Sequence, residues 1–236
     1  MDSQIRDFQK SILKAFSTCA GCFALAGGTA LELFYLKHRF SFDLDLFSVK
    51  FSEKEIRDII SVFKKQTGVK VKLVSEMVLP FSARVKFFSL SGGAGKKALK
   101  IDFVEEVLLK KPKILHFDGI PVYSAEDIYY QKIASIAGTG FVQDQLGREI
   151  STGRNQARDA FDVYYLSNEV TPLHVFLKKM PANFQRGMVS WYQSFSRGDL
   201  KISLLDLDIY DKKFDSRDMI SHLDSEIKKF IKEAME

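Results

Sequence analysis

Residues 27–47 read GGTALELFYLKHRFSFDLDLF, a glycine turn, an amphipathic run and two aspartates spaced as DLD. At the downstream end Phe42, Leu44 and Leu46 alternate with Asp43, Asp45 and Phe47, the period of a half-buried strand. Period two places Asp43 and Asp45 on one face, with Cα atoms roughly 6.5–7 Å apart. Two such carboxylates can converge on one hard cation, or on two held about 3.5–4 Å apart. Magnesium fits because it takes oxygen ligands and keeps positions open for substrate phosphates. A solvated edge of an amphipathic strand is the plainer explanation of the same pair.

The upstream end changes that balance. Cys22–Ala26 (CFALA) has the character of a buried strand, ended by Gly27 and Gly28. Thr29 then stands where a helix N-cap belongs, ahead of Ala30, Leu31, Phe34 and Tyr35 at helical spacing. A glycine turn at a helix start offers N–H groups and close backbone approach to an anion. An ordinary tight strand-to-helix turn would use the same glycines, but here the helix leads directly into the DLD strand. Arg39 can steady a phosphate or simply face solvent.

The order GG-[ST], a dozen or so residues, then DxD resembles the DNA polymerase β-like nucleotidyltransferases. The fuller string is similar to the AbiEii/AbiGii abortive-infection toxin branch: Gly27-Gly28-Thr29-Ala30-Leu31, His38-Arg39, Ser41 and both aspartates agree with its pattern. The resemblance covers about a tenth of the chain strictly, with two weaker matches downstream. It implies that Asp43 and Asp45 bind magnesium, as a two-metal site, and that Gly27, Gly28 and Thr29 hold the phosphates of a nucleoside triphosphate.

A third carboxylate is implied on an adjacent strand. Phe81–Leu90 and Leu99–Val107 are two β-rich runs separated by SGGAGKKA, a hairpin-like loop. In LKIDFVEE, Asp102 sits among apolar neighbours, a costly place for a charge without a partner or a metal. Resemblance to the family's KIDF-type strand supports Asp102 as third ligand or as general base. Glu105 and Glu106 are expected to be solvated. In the helical half, Ser124 and Asp127 resemble a cap for SAEDIYYQKIASIAG, and GRNQARDAFDVYYLSNE forms a later helix. The family carries a Lys and then an R…RDxxDxxxL helix in this order. Carried over, Lys132 contacts the triphosphate, and Arg154, Arg158 and Asp159 line the nucleotide pocket. A salt-bridged surface helix is the plainer explanation for Arg154 and for Asp162, which lies one turn from Asp159; Asp162 can instead brace Lys132 or a backbone group.

At 236 residues and 46% hydrophobic content the chain can build a sizeable core. The charged start MDSQIRDFQK lacks the apolar core of a signal peptide, and no run of about 18 apolar residues could span a membrane. A cytoplasmic enzyme is the expectation. The net charge of +5 and pI near 9.0 are mildly basic. Lysines cluster at Lys64-Lys65, Lys70, Lys72, Lys96-Lys97 and Lys110, Lys111, Lys113, and such clusters attract RNA phosphates or form solvated faces. Cys19 and Cys22 form a CxxC with no other cysteine to complete a zinc site. Gly92–Lys96 lacks P-loop spacing, and the second DLD, Asp206 and Asp208, has no glycine turn before it.

The expected architecture is α+β: a nucleotidyltransferase-like mixed β-sheet flanked by helices, followed by a mainly helical C-terminal lobe. Residues 1–120 form the catalytic domain and 121–236 the helical domain that completes the cleft. Ser52 and Glu55 form a capping box for a helix stopped near Gly68. The implied reaction is magnesium-dependent transfer of NMP from an NTP to an acceptor hydroxyl on RNA (tRNA included) or protein. The resemblance implies a toxin with a cognate antitoxin, in a toxin–antitoxin or phage-defence pair. Two other functions keep the same motif: a nucleotide- or RNA-binding module on a degenerate transferase fold, and an antibiotic-modifying nucleotidyltransferase.

Overall fold

The computed structural model describes residues 3–77, 83–92, 98–138, 140–143, 147 and 149–236. Packing divides the chain into two units, Met1–Tyr35 with Ser41–Asp127, and Leu36–Phe40 with Ile128–Glu236.

The first unit is built on a seven-stranded mixed sheet. Its strands in chain order are β1 (Ala24–Ala26), β2 (Leu44–Ser48), β3 (Lys70–Met77), β4 (Val85–Ser91), β5 (Leu99–Glu105), β6 (Ile114–Phe117) and β7 (Ile120–Tyr123). Their spatial order is β3-β4-β5-β2-β1-β7-β6, with parallel pairing of β2 to β5 and β1 to β7 and antiparallel pairing elsewhere. Helices α1 (Ser3–Phe16) and α3 (Glu53–Thr67) pack on one another and against this sheet. Their apolar stripes, Ile5, Phe8, Ile12 and Phe16 on α1 and Ile56, Ile59, Ile60 and Phe63 on α3, are buried at helical spacing. Burial of these stripes is the main driving force for the unit.

Ser52 caps α3 by accepting the Glu55 N–H, and Gly68 closes it in the left-handed region at φ 67°. The box is half-formed, because the Glu55 carboxylate accepts the Cys22 N–H at 2.7 Å instead of returning to Ser52. Two local expectations are corrected. Thr29 is not an N-cap: the helical turn α2 (Gly27–Ala30) starts after Ala26, and a π-helical turn, Leu31–Leu36, continues it. Glu106 is buried, not solvated, because its carboxylate accepts the N–H groups of Leu108 and Leu109. Glu105 is half-buried and paired with Arg84. The expected strand start at Phe81 lies outside the described residues, as does most of the loop between β4 and β5.

The second unit is mainly helical. It comprises most of α4 (Ala125–Ala137), then α5 (Ala157–Glu169), α6 (Leu173–Lys178), α7 (Ala182–Ser194), α8 (Arg197–Leu204) and α9 (Ser216–Met235). Its core includes Ile133, Phe161, Leu166, Leu177, Met188, Leu223 and Ile227. After α4, β8 (Phe141–Gln143) and β9 (Glu149–Ser151) pair antiparallel as a two-stranded ribbon. Among the described residues no helix is long and apolar enough to cross a membrane.

Candidate active site

In the first unit the motif residues meet where three strands adjoin. β1 runs into Gly27, whose φ of 69° lies in the left-handed region that L side chains rarely adopt. Antiparallel register sets Ala26 beside Asp45, and a Cβ on Gly27 would collide with the Asp45 carboxylate. Gly27 is therefore needed twice, for the turn and for the space. On its other side β2 pairs parallel to β5, with Asp45 opposite Asp102. Neighbouring strands lie about 4.7–4.9 Å apart, so these two carboxylates project side by side from one face. Asp43 stands just before β2, half-buried, two residues from Asp45.

The approach to β2 is held by side chains that the motif alone does not reveal. The Thr29 hydroxyl donates to the Asp43 carbonyl. Gln9 on α1 donates to the carbonyls of Ser41 and Phe42, at 2.9 and 2.8 Å. Glu32 is buried, paired with Arg6, and accepts the Ser41 N–H at 2.8 Å. The only signal for these contacts in the sequence is a polar residue on an otherwise apolar helical face.

Asp102 is 7% exposed. Its Oδ2 accepts from Lys100 Nζ at 2.8 Å, while Oδ1 is buried without a hydrogen-bond partner. Burial pushes its carboxyl up to about 6, with the fields of Asp45 and Asp43 adding to the rise and Lys100 opposing it. Burial works against the Lys100 ammonium, but the bond to Asp102 and the fields of Asp43 and Asp45 outweigh it and raise its pKa. Lys100, which strand alternation already sets on the same face of β5 as Asp102, is thus a member of this charge group. Among the described residues no three His, Cys, Asp or Glu side chains stand together as a ready metal cage. Lys96 and Lys97 lie outside the described residues.

The second unit holds a separate buried ion cluster. Asp162 is fully buried and accepts both Nε and Nη2 of Arg39, at 2.7 and 2.8 Å. His38 Nε2 lies 2.8 Å and Lys132 Nζ 2.7 Å from the same carboxylate. Lys132 also bonds to Asp159 at 2.8 Å, and Arg154 approaches Asp159 at 3.3 Å. Burial opposes the Asp162 charge, but Lys132 and Arg39 overcome it and hold the carboxyl well below its ordinary value. Burial likewise disfavours the Lys132 ammonium, and Asp159 with Asp162 reverses the effect. Arg39 therefore does not face solvent, and Asp162 braces Lys132 from the interior instead of lying on a surface helix. Arg158 is exposed and donates to the Gln156 side chain at 2.8 Å.

Comparisons with known proteins bear on the fold and the family. A crystal structure of an H. pylori protein proposed to be a nucleotidyltransferase superposes with a TM-score of 0.56 at 16% identity, over 97% of this chain and 96% of that one. The crystal structure of JHP933 from Helicobacter pylori gives 0.54 at 16% identity, over 98% and 94%. At such identity the likeness establishes the fold. No curated protein matches the sequence. The family profile described as "Nucleotidyl transferase AbiEii toxin, Type IV TA system" matches residues 11–235. The chain, with its GGT turn, its DLD strand and its nucleotidyltransferase fold, belongs to the AbiEii toxin family of nucleotidyltransferases.

Proposed function

We propose that the protein transfers NMP from a nucleoside triphosphate to an acceptor hydroxyl with the help of magnesium. In this reading it acts in the cytoplasm, as the toxin of a type IV toxin–antitoxin pair, on an RNA or protein acceptor. The observation that carries the reading is the register pairing of Asp45 with Asp102, with Asp43 two residues away and one Asp102 oxygen buried without a partner. Crowded carboxylates with an unsatisfied acceptor are costly in themselves and gain from a hard cation.

Magnesium is commonly held by one or two protein carboxylates plus substrate phosphates, so a complete protein cage is not required. When bound it would neutralise charge on the phosphates and orient the attacking oxygen. Asp43, Asp45 and Asp102 are the residues that would hold it. The acceptor oxygen attacks the α-phosphorus, the bond to the bridging oxygen breaks, and pyrophosphate leaves. Asp102, whose carboxyl burial pushes up to about 6, suits the acceptor proton. The Gly27-Gly28 turn lets the phosphates approach the backbone closely. The nucleotide roles of Arg39, Lys132, Arg158 and Asp159 belong to the same proposal. Arg158 is the exposed cation of that set; Lys132 and Arg39 would act as fixed charges from the interior.

The test is label transfer from each α-labelled NTP to total RNA and total protein. Asp43→Ala and Asp45→Ala are each expected to abolish transfer while circular dichroism stays unchanged. Undiminished transfer in either variant would sink the metal assignment.

A further inference from the structure

The sheet face that bears Asp45 and Asp102 continues past them to the edge strand. Asp102 on β5 opposes Phe87 on β4, and Phe87 opposes Ser75 on β3. In the next row Lys100 opposes Ser89, and Ser89 opposes Lys72; in the row beyond, Ser91 opposes Lys70. Residues opposed in register project from the same side, and their neighbours in sequence from the other. That other side carries Leu90, Leu99, Ile101 and Phe103, all buried. The carboxylate side is open: Lys70, Lys72 and Ser91 are exposed, and Phe87 and Ser89 are half-buried.

The charge on this face has one sign away from the aspartates. Lys70 and Lys72 have no carboxylate partner among the described residues. Lys100 sits over the Phe87 ring, its Nζ 5.0 Å from the centroid, and bonds to Asp102. Two free ammonium groups, three hydroxyls and an aromatic ring thus line a strip that ends at the carboxylates. A strip of this composition matches a single-stranded polynucleotide, whose phosphates need cations and whose bases stack on π-faces. An acidic protein segment would use the lysines and leave the ring and hydroxyls without a role.

We propose that the β3-β4-β5 face is the track on which an RNA acceptor lies, its phosphates on Lys70 and Lys72 and a base against Phe87. Lys100 offsets the repulsion that the three aspartates exert on the approaching strand. The inference rests on the nucleotidyl-transfer reading for its direction toward the carboxylates, and the binding itself can be measured without it.

The experiment uses the full chain and a 5′-fluorescein-labelled single-stranded RNA of mixed sequence, followed by anisotropy across a KCl series. K70E/K72E is compared with K110E/K111E, which changes the charge equally on exposed lysines beyond the end of β5. K70E/K72E is expected to weaken binding by about tenfold or more and to flatten the log–log salt slope by about 1.4, as for two lost phosphate contacts on a single strand. K110E/K111E should change affinity by less than about twofold. K70R/K72R should retain binding, and the thermal midpoint and Mg–NTP calorimetry should not move in any variant. Equal weakening in both reversal variants, or none in either, overturns the proposal, as does an unaltered RNA affinity with lost binding to polyglutamate. Selective loss of RNA binding in a protein that transfers no NMP would sink the nucleotidyl-transfer reading and leave the surface standing.

Discussion

Asp45 and Asp102 are register partners on parallel neighbours, and neither strand contributes a cation that could separate them except Lys100. The pair is a local destabilisation kept in the fold. For Asp102 the folded-state carboxyl is raised to about 6, so the folded chain holds a proton that the unfolded chain, near 3.9, has released. Without metal, this group's contribution to stability should fall as pH rises from about 4 through about 6. Asp102→Asn is therefore expected to match the parent below about pH 4 in EDTA and to exceed it above about pH 6, in thermal or urea melts. Magnesium should narrow the gap by stabilising only the parent. A parent that gains on the variant as pH rises in EDTA would contradict this sign.

Gly27→Ala adds a methyl group in the left-handed region and against the Asp45 carboxylate. The backbone strain alone should cost about 1–2 kcal/mol, read as a lowered urea midpoint. Transfer activity should fall further than stability, because Asp45 must move aside. A variant with parental activity would show that the Asp45 position is not tied to the turn.

Thr29 separates two roles that share one residue. Its hydroxyl donates to the Asp43 carbonyl, so Thr29→Val keeps the shape and leaves that acceptor unsatisfied. The expected cost is about 1–3 kcal/mol. If Thr29 acts by positioning Asp43, kcat falls, KM for NTP holds, and Thr29→Ser restores kcat. A rise in KM with kcat unchanged would point to a direct phosphate contact.

Asp162→Asn removes the charge that Arg39, His38 and Lys132 share in the interior. Breaking a buried ion group leaves uncompensated cations, at a cost of about 3–5 kcal/mol. Arg39→Lys keeps the charge but loses the two-point grip, and its cost should be smaller. Chemical denaturation of both variants checks the order.

The readable parts of the sequence were those governed by neighbours. Alternation exposed the DLD strand, Ser52 and Gly68 marked the ends of α3, and LKIDFVEE displayed Asp102 as a charge in an apolar run. The parts that stayed hidden depend on distant partners. Thr29 looks like a cap until Asp43 supplies its acceptor, and Glu106 looks solvated until the turn after β5 folds back on it. Asp162 has the spacing of a surface residue; its pairing with Lys132 could be read from the sequence, but the closure of Arg39 and His38 on it, from far upstream, could not. The face shared by Lys72, Ser89 and Lys100 is a matter of sheet register, which no single strand announces.

The segment Leu36–Phe40 packs with the helical unit although the chain on both sides of it belongs to the sheet unit. Arg39 must wait for a partner 123 residues later. During synthesis the ribosome releases the GGT turn and the DLD strand long before Asp162 emerges. Until then Arg39 lacks the Asp162 carboxylate, and no single cut in the chain yields the helical unit with all its parts. A nascent or truncated chain is therefore an unfinished one.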